Sequence, residues 1–223
     1  TYTENPISIN KSVTLRGPNA GISPASGSSV APAVVTTTAA GLGNPVFTIA
    51  AGVSNVTIEG LTIQMRGDNG IRQQTGVTNL TIRQNEFIGD GPPNGGVIFL
   101  DYEGNGSGAN VIDNLIRDVT TTGGSVTSGV QLFRIGGVRA TDNQIANLTG
   151  PGIVADALTG TTNIINNNRV DNIRQQGIQL AGGNATIANN NVTNANTASG
   201  ADDGGIRLRD SGLTAATLGT VDV

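Results

Sequence analysis

Apolar residues recur along this chain in a fixed relation to a polar corner. An apolar residue is followed three positions later by a residue that is Asn in five of six cases, and two positions after that by a second apolar residue. The segments are Ile58-Leu61-Ile63, Ile82-Asn85-Phe87, Val111-Asn114-Ile116, Ala140-Asn143-Ile145, Ile165-Asn168-Val170 and Ile187-Asn190-Val192, with steps of 24, 29, 29, 25 and 22 residues between corners. A second pattern runs in phase with the first: a Gly, an apolar residue, then a mostly apolar one two further on. It reads Gly70-Ile71, Gly96-Val97-Phe99, Gly129-Val130-Leu132, Gly152-Ile153-Ala155, Gly177-Ile178-Leu180 and Gly205-Ile206-Leu208. Between these landmarks apolar and polar residues alternate, as in Val56-Thr57-Ile58 and Ala185-Thr186-Ile187. Period two with β-branched residues predicts strands, and no window shows capped helical spacing.

A strand that pairs with its equivalent one repeat later runs parallel to it, the rest of the repeat supplying the long connection. Repeats of 22–29 residues therefore predict an all-β solenoid, a right-handed parallel β-helix of about seven or eight coils. At ~4.8 Å per coil the rod is roughly 35–40 Å long. Asn85, Asn114, Asn143, Asn168 and Asn190 fall on one corner. Asn tolerates a left-handed backbone, and stacked Asn amides can bond to those above and below, which spares buried polar groups a cost of ~1–3 kcal/mol each. Leu61 breaks this predicted ladder at its N-terminal end. Longer spacings put insertions near residues 19–44, 118–128 and 193–203. Loops that project from a solenoid either carry function or are merely tolerated.

The net charge of −4 and pI of about 4.7, with Lys11 the one lysine, exclude a basic stripe for nucleic acid. The chain has no cysteine, so disulfides and thiolate metal sites are excluded, and no histidine, the usual general base and zinc ligand. Aromatics at 3% are too few for a conventional globular core. No apolar run of about 18 residues is present to span a membrane. The chain opens without Met on residues that read as strand, and Leu218–Val223 read likewise. The expectation is one domain, residues 1–223, that is a segment of a longer protein.

The opening, Tyr2-Thr3-Glu4-Asn5-Pro6-Ile7-Ser8-Ile9-Asn10-Lys11-Ser12-Val13-Thr14-Leu15-Arg16-Gly17-Pro18, and the Asn-corner repeats resemble the pectate-lyase-like right-handed β-helix superfamily, with its bacterial extracellular repeat proteins. The resemblance covers nearly the whole chain and implies the fold. It leaves function open among polysaccharide lyases, glycoside hydrolases, epimerases, phage tailspikes and non-catalytic surface proteins. Polygalacturonase-like members carry Asn-Thr-Asp, Asp-Asp and Gly-His-Gly motifs. This chain has Asp202-Asp203, with Arg207 and Arg209 close behind, and no histidine. Inverting hydrolysis needs two carboxyl groups roughly 6.5–9.5 Å apart across one bond, not an adjacent pair.

Calcium-assisted lyases of the superfamily use acidic ligands and an Arg or Lys base. Here Asp202, Asp203 and Asp210 are the candidate metal ligands, and Arg207 and Arg209 the candidate catalytic cations. Calcium takes about 6–8 oxygens, more than the pair supplies, and an ordinary Arg is a poor base. Solvated turn acids are the plainer reading, and Asp101 and Glu103 carry the same ambiguity. No cofactor is expected, with calcium the one ion the acids could take.

If Ile71, Val97, Val130, Ile153, Ile178 and Ile206 point inward, the next residues form outward rows. One row is Arg72, Ile98, Gln131, Val154, Gln179 and Arg207, and the next Gln74, Leu100, Phe133, Asp156, Ala181 and Arg209. Ile98, Leu100, Phe133 and Val154 would then make an exposed apolar face, a contact surface or the seat of a loop. The sequons Asn55-Val56-Thr57, Asn79-Leu80-Thr81 and Asn184-Ala185-Thr186 coincide with strand starts and read as by-products of the repeat. Gly91–Gly96 matches no phosphate-binding pattern. The expected function is a non-catalytic, adhesin-like structural rod, extracellular or on a bacterial surface. Its partners are other chains, a second copy or a surface polysaccharide. The alternative is a lyase or hydrolase acting on an acidic glycan.

Overall fold

The computed structural model describes residues 1–27, 30–93, 95–101, 108–121, 126–156, 161–181, 184–197 and 204–209. Their strands form three sheets of eight, eight and seven members, and each turn of the chain adds one strand to each sheet in strict order. Coil three, for example, contributes Thr62–Arg66 to the first sheet, Ile71–Gln73 to the second and Thr78–Arg83 to the third. Each strand pairs in parallel with its equivalents in the coils on either side. Eight coils stack in this way, a three-sheet parallel β-helix.

The alternation in sequence fills the interior in columns. Ile63, Phe87, Ile116, Ile145 and Val170 stack on the first sheet, and Ile71, Ile98, Val130, Ile153 and Ile178 on the second. Ile58, Ile82, Val111, Ala140, Ile165 and Ile187 stack on the third, and all of these are buried. Burying a large aliphatic or aromatic side chain is worth ~1.5–3 kcal/mol.

The Asn corner joins the third sheet to the first. Each Asn Nδ2 donates to the Oδ1 of the Asn one coil on, at 3.2 Å for Asn85–Asn114, 3.0 Å for Asn114–Asn143 and Asn143–Asn168, and 2.9 Å for Asn168–Asn190. Each also donates back to a carbonyl of the preceding coil, from Ile58, Ile82, Val111, Ala140 and Ile165 in turn. Leu61 ends the series by donating its backbone N–H to Asn85 Oδ1 at 3.1 Å. The left-handed backbone predicted for these asparagines belongs instead to the residue before each corner: Gly60, Gln84, Asp113, Asp142, Asn167 and Asn189, all at positive φ. The reversal is made one residue early, which frees the Asn side chain to turn inward.

The glycine pattern has a packing origin. A Cβ on Gly70 would lie 2.7 Å from Phe87 Cδ1, and one on Gly129 would lie 2.8 Å from Ile145 Cγ2. The glycines make room at the corner between first and second sheets for the first-sheet side chain of the next coil. In coil four that place is taken by Val97, because Ile98, not Val97, pairs with Ile71 and Val130. This overturns the predicted phase. Ile98 and Leu100 point inward, fully buried, and Phe99 takes the outward position. The uninterrupted apolar run from Val97 to Leu100 carries no alternation to fix its phase.

Strands of the solenoid enter all three segments expected as insertions. The segment 19–44 contains a first-sheet strand, Val34–Thr37. Strands Leu115–Thr120 and Thr127–Phe133 enter the second insertion from both sides, and Asn191–Ala195 enters the third. Residues 122–125 and 198–203 of these insertions lie outside the described residues.

Candidate functional site

A groove of about 440 Å³ lies over the outward face of the second sheet in coils three to five, walled by the loops around Leu42 and Pro92-Pro93. The register of the second sheet sets its floor. Arg72, Phe99 and Gln131 stack on successive strands in one outward row, and Phe133 stands two residues beyond Gln131 on the same face. On stacked strands ~4.8 Å apart, Phe99 and Phe133 are diagonal neighbours. Both rings are half-buried, and Arg72 is exposed. Arg134 holds its guanidinium 5.1 Å from the centre of the Phe133 ring, a cation–π contact. Its backbone is in the left-handed region, φ 49°, which few side chains other than Asn, Asp and Gly adopt.

The base of the groove is a buried polar pair at the corner of coil three. Asp68 and Asn69 are 4% and 5% exposed. Asp68 Oδ2 accepts the Asn44 N–H at 2.9 Å, and Oδ1 accepts the Asn69 N–H at 2.7 Å. Asn69 Nδ2 donates to the Gly96 carbonyl. The pair therefore fastens the loop of coil two on one side and the loop of coil four on the other. Asp68 is the one carboxylate among the described lining residues, and both its oxygens already accept backbone N–H groups.

The sequence-predicted residues divide three ways. Phe133 and Val154 are outward and half-buried, as the predicted face requires, whereas Ile98 and Leu100 belong to the core. Arg207 is outward in the row of Arg72 but three strands beyond Gln131, ~14 Å away along the axis. Arg209 ends the strand Ile206–Arg209. Asp202, Asp203, Asp210 and Glu103 lie outside the described residues, and Asp101 closes the strand Gly95–Asp101. Among the described residues no three His, Cys, Asp or Glu side chains gather as a metal site. No helix among them is long and apolar enough to cross a membrane.

Asp68, Asn69 and Leu42 escaped the sequence reading, and Phe99 was placed in the glycine pattern on the inward side, whereas it faces outward. The signal for the first two was the turn Gly67-Asp68-Asn69-Gly70, a polar pair between two glycines. Leu42, 68% exposed between Gly41 and Gly43, gives no periodic signal at all.

A second hollow, of about 310 Å³, lies beneath the segment 19–32 at the Asn corner. Asn19 pins that segment to Val30, and Gly21 N–H reaches Gln84 Oε1 at 2.7 Å. Its charges, Glu86 and Arg117, already pair with each other at 2.7 Å, so it offers a ligand less.

Residues 52–216 match the family described as "Right handed beta helix region". No curated protein and no solved structure matches the chain.

Proposed function

The chain belongs to the right-handed β-helix family, and from that premise we propose that it is a rigid rod that holds a linear acidic polysaccharide, without cleaving it, in the groove over its second sheet. The observation that carries this reading is the set Arg72, Phe99, Gln131 and Phe133 on one rigid outward face. Aromatic faces stack on the C–H faces of sugar rings, Gln bonds hydroxyl groups in both directions, and Arg takes carboxylates in bidentate fashion. Parallel strands present these groups at a fixed pitch, which suits a repeating polymer.

Binding rather than cleavage is supported by Asp68. A glycosidase needs one carboxyl group to give a proton and another to act across the bond. The groove's described carboxylate is buried and committed to holding loops. The same proposal places the protein outside the cell, on a bacterial surface. A stiff, cysteine-free, acidic rod displaying one binding face suits that setting.

The test is calorimetric titration with polygalacturonate and, for contrast, neutral dextran, with product analysis by mass spectrometry. Phe133→Ala and Arg72→Gln should each weaken polygalacturonate binding about ten-fold, ~1.4 kcal/mol. Unchanged binding in both variants sinks the reading. Cleavage products would replace it with a lyase or hydrolase. Self-association lost in Phe133→Ser would assign the face to a second copy.

A further inference from the structure

The corners between first and second sheets differ in height. In coil three, residues 67–70 alone join Arg66 to Ile71. In coil two, residues 38–46 join Thr37 to Phe47, and in coil four, residues 91–97 lead from Asp90 to Ile98, the equivalent of Ile71. The corner of coil three is thus the floor of a notch between two taller walls. Both walls are fastened to it. Gly41 N–H donates to the Arg66 carbonyl at 2.7 Å on one side, and Gly67 N–H donates to the Asp90 carbonyl at 2.6 Å on the other. Gly67 has φ 99°, and a Cβ there would stand 3.0 Å from Gly41 N, so glycine keeps the floor low.

The notch opens at one end into the groove over the second sheet. At the other it opens into a hollow of about 380 Å³ on the first-sheet side, lined by Arg66, Gly67, Asp90 and Gly91. Leu42 and Pro93 border both spaces. Arg66 Nη1 donates to the Thr37 and Thr38 carbonyls at 3.1 and 3.0 Å, which holds its guanidinium at the lip. We infer that the bound polysaccharide crosses the rod through this notch, transverse to the axis, with Arg66 as a second anion-binding subsite beyond the one at Arg72. A sugar seated there turns its carboxylate to Arg66 and its hydroxyl groups to Asp90, which already accepts the Thr120 hydroxyl. Five residues separate the two arginines, so their Cα atoms lie at most ~20 Å apart even fully extended, within the reach of an oligosaccharide.

The inference rests on the proposed glycan-binding role, and the experiment separates the two. Oligogalacturonates from dimer to octamer are titrated into the full chain and its variants, with folding checked by circular dichroism. Arg72→Gln weakens binding at every length. Arg66→Gln, which keeps a donor for the Thr37 and Thr38 carbonyls, leaves the dimer unchanged and weakens the octamer about ten-fold. Arg66→Lys restores most of that loss. If Arg66→Gln changes nothing at any length while Arg72→Gln still weakens binding, the ligand stays on the second sheet and the notch inference falls alone. If neither variant changes affinity, and Phe133→Ala does not either, both readings fall.

Discussion

Each ladder asparagine spends its whole side chain. Asn143 accepts at Oδ1 from the backbone and side-chain N–H of Asn114, and its Nδ2 donates to the Val111 carbonyl and to Asn168 Oδ1. Asn143→Ala would strand several of these groups in a site with no exposure. At ~1–3 kcal/mol for each orphaned group, partly relieved by relaxation, a loss of about 3–5 kcal/mol is expected in urea unfolding. A loss under ~1 kcal/mol would mean the ladder adds little. The ladder was legible because a polar residue recurred where the pattern demands an apolar wall. The left-handed residue was misplaced by one, since Asn, Asp, Gly and Gln share the preceding position and the sequence does not show which of two neighbours makes the reversal. Asn163, buried in the strand Thr162–Asn166 and accepting the Val138 N–H at 3.0 Å, recurs nowhere and left no signal.

Strands of the first sheet carry a column of left-handed residues in mid-strand: Asp118, Asn147, Asn172 and Asn194. The register shifts there, between Phe87 and Gly89 on the neighbouring strand, as at a β-bulge. The bulge residues bond in series, Asn172 to Asn147 at 2.7 Å and Asn147 to Asp118. The bond from Asn147, then that from Arg117, holds the Asp118 carboxyl below its ordinary range. A depressed folded value gives stability that is complete above the unfolded pKa, about 3.9, and is lost as pH falls through the folded one. The melting temperature of wild type should therefore drop more steeply below pH ~4 than that of Asp118→Asn. Parallel curves would show that the bond does not matter to stability. At this scale the sequence was legible wherever polar residues interrupt the apolar ones. It failed from Val97 to Leu100, where four apolar residues in a row fit either face, and register with Ile71 and Val130 made the choice.

The molecule as a whole is a stack whose layers are nearly interchangeable. Gln144 and Arg169 are register equivalents, as are Ile145 and Val170. Deleting residues 144–168 joins Asn143 to Arg169 with every later strand in phase. The shortened chain is expected to fold with the same circular dichroism and a rod shorter by ~4.8 Å in X-ray scattering, at some cost in stability. A disordered product would show that the coils are not modular. The stacking itself was readable from the spacing of corners. The groove was not, because its walls are loops of irregular sequence and its floor depends on which strand follows which.

The ladder also has a direction. Every carboxamide oxygen from Asn114 to Asn190 faces the preceding coil, where it accepts from the Asn before it. Backbone bonds between parallel strands run both ways along the stack and largely cancel. Each ladder Nδ2 bonds both ways, on to the next Asn and back to a carbonyl of the preceding coil, but the Oδ1 atoms all point one way, and neighbouring bonds of this kind polarise one another. The corner therefore gives the stack from Asn85 to Asn190 a head and a tail, an order along the axis fixed by one residue per turn.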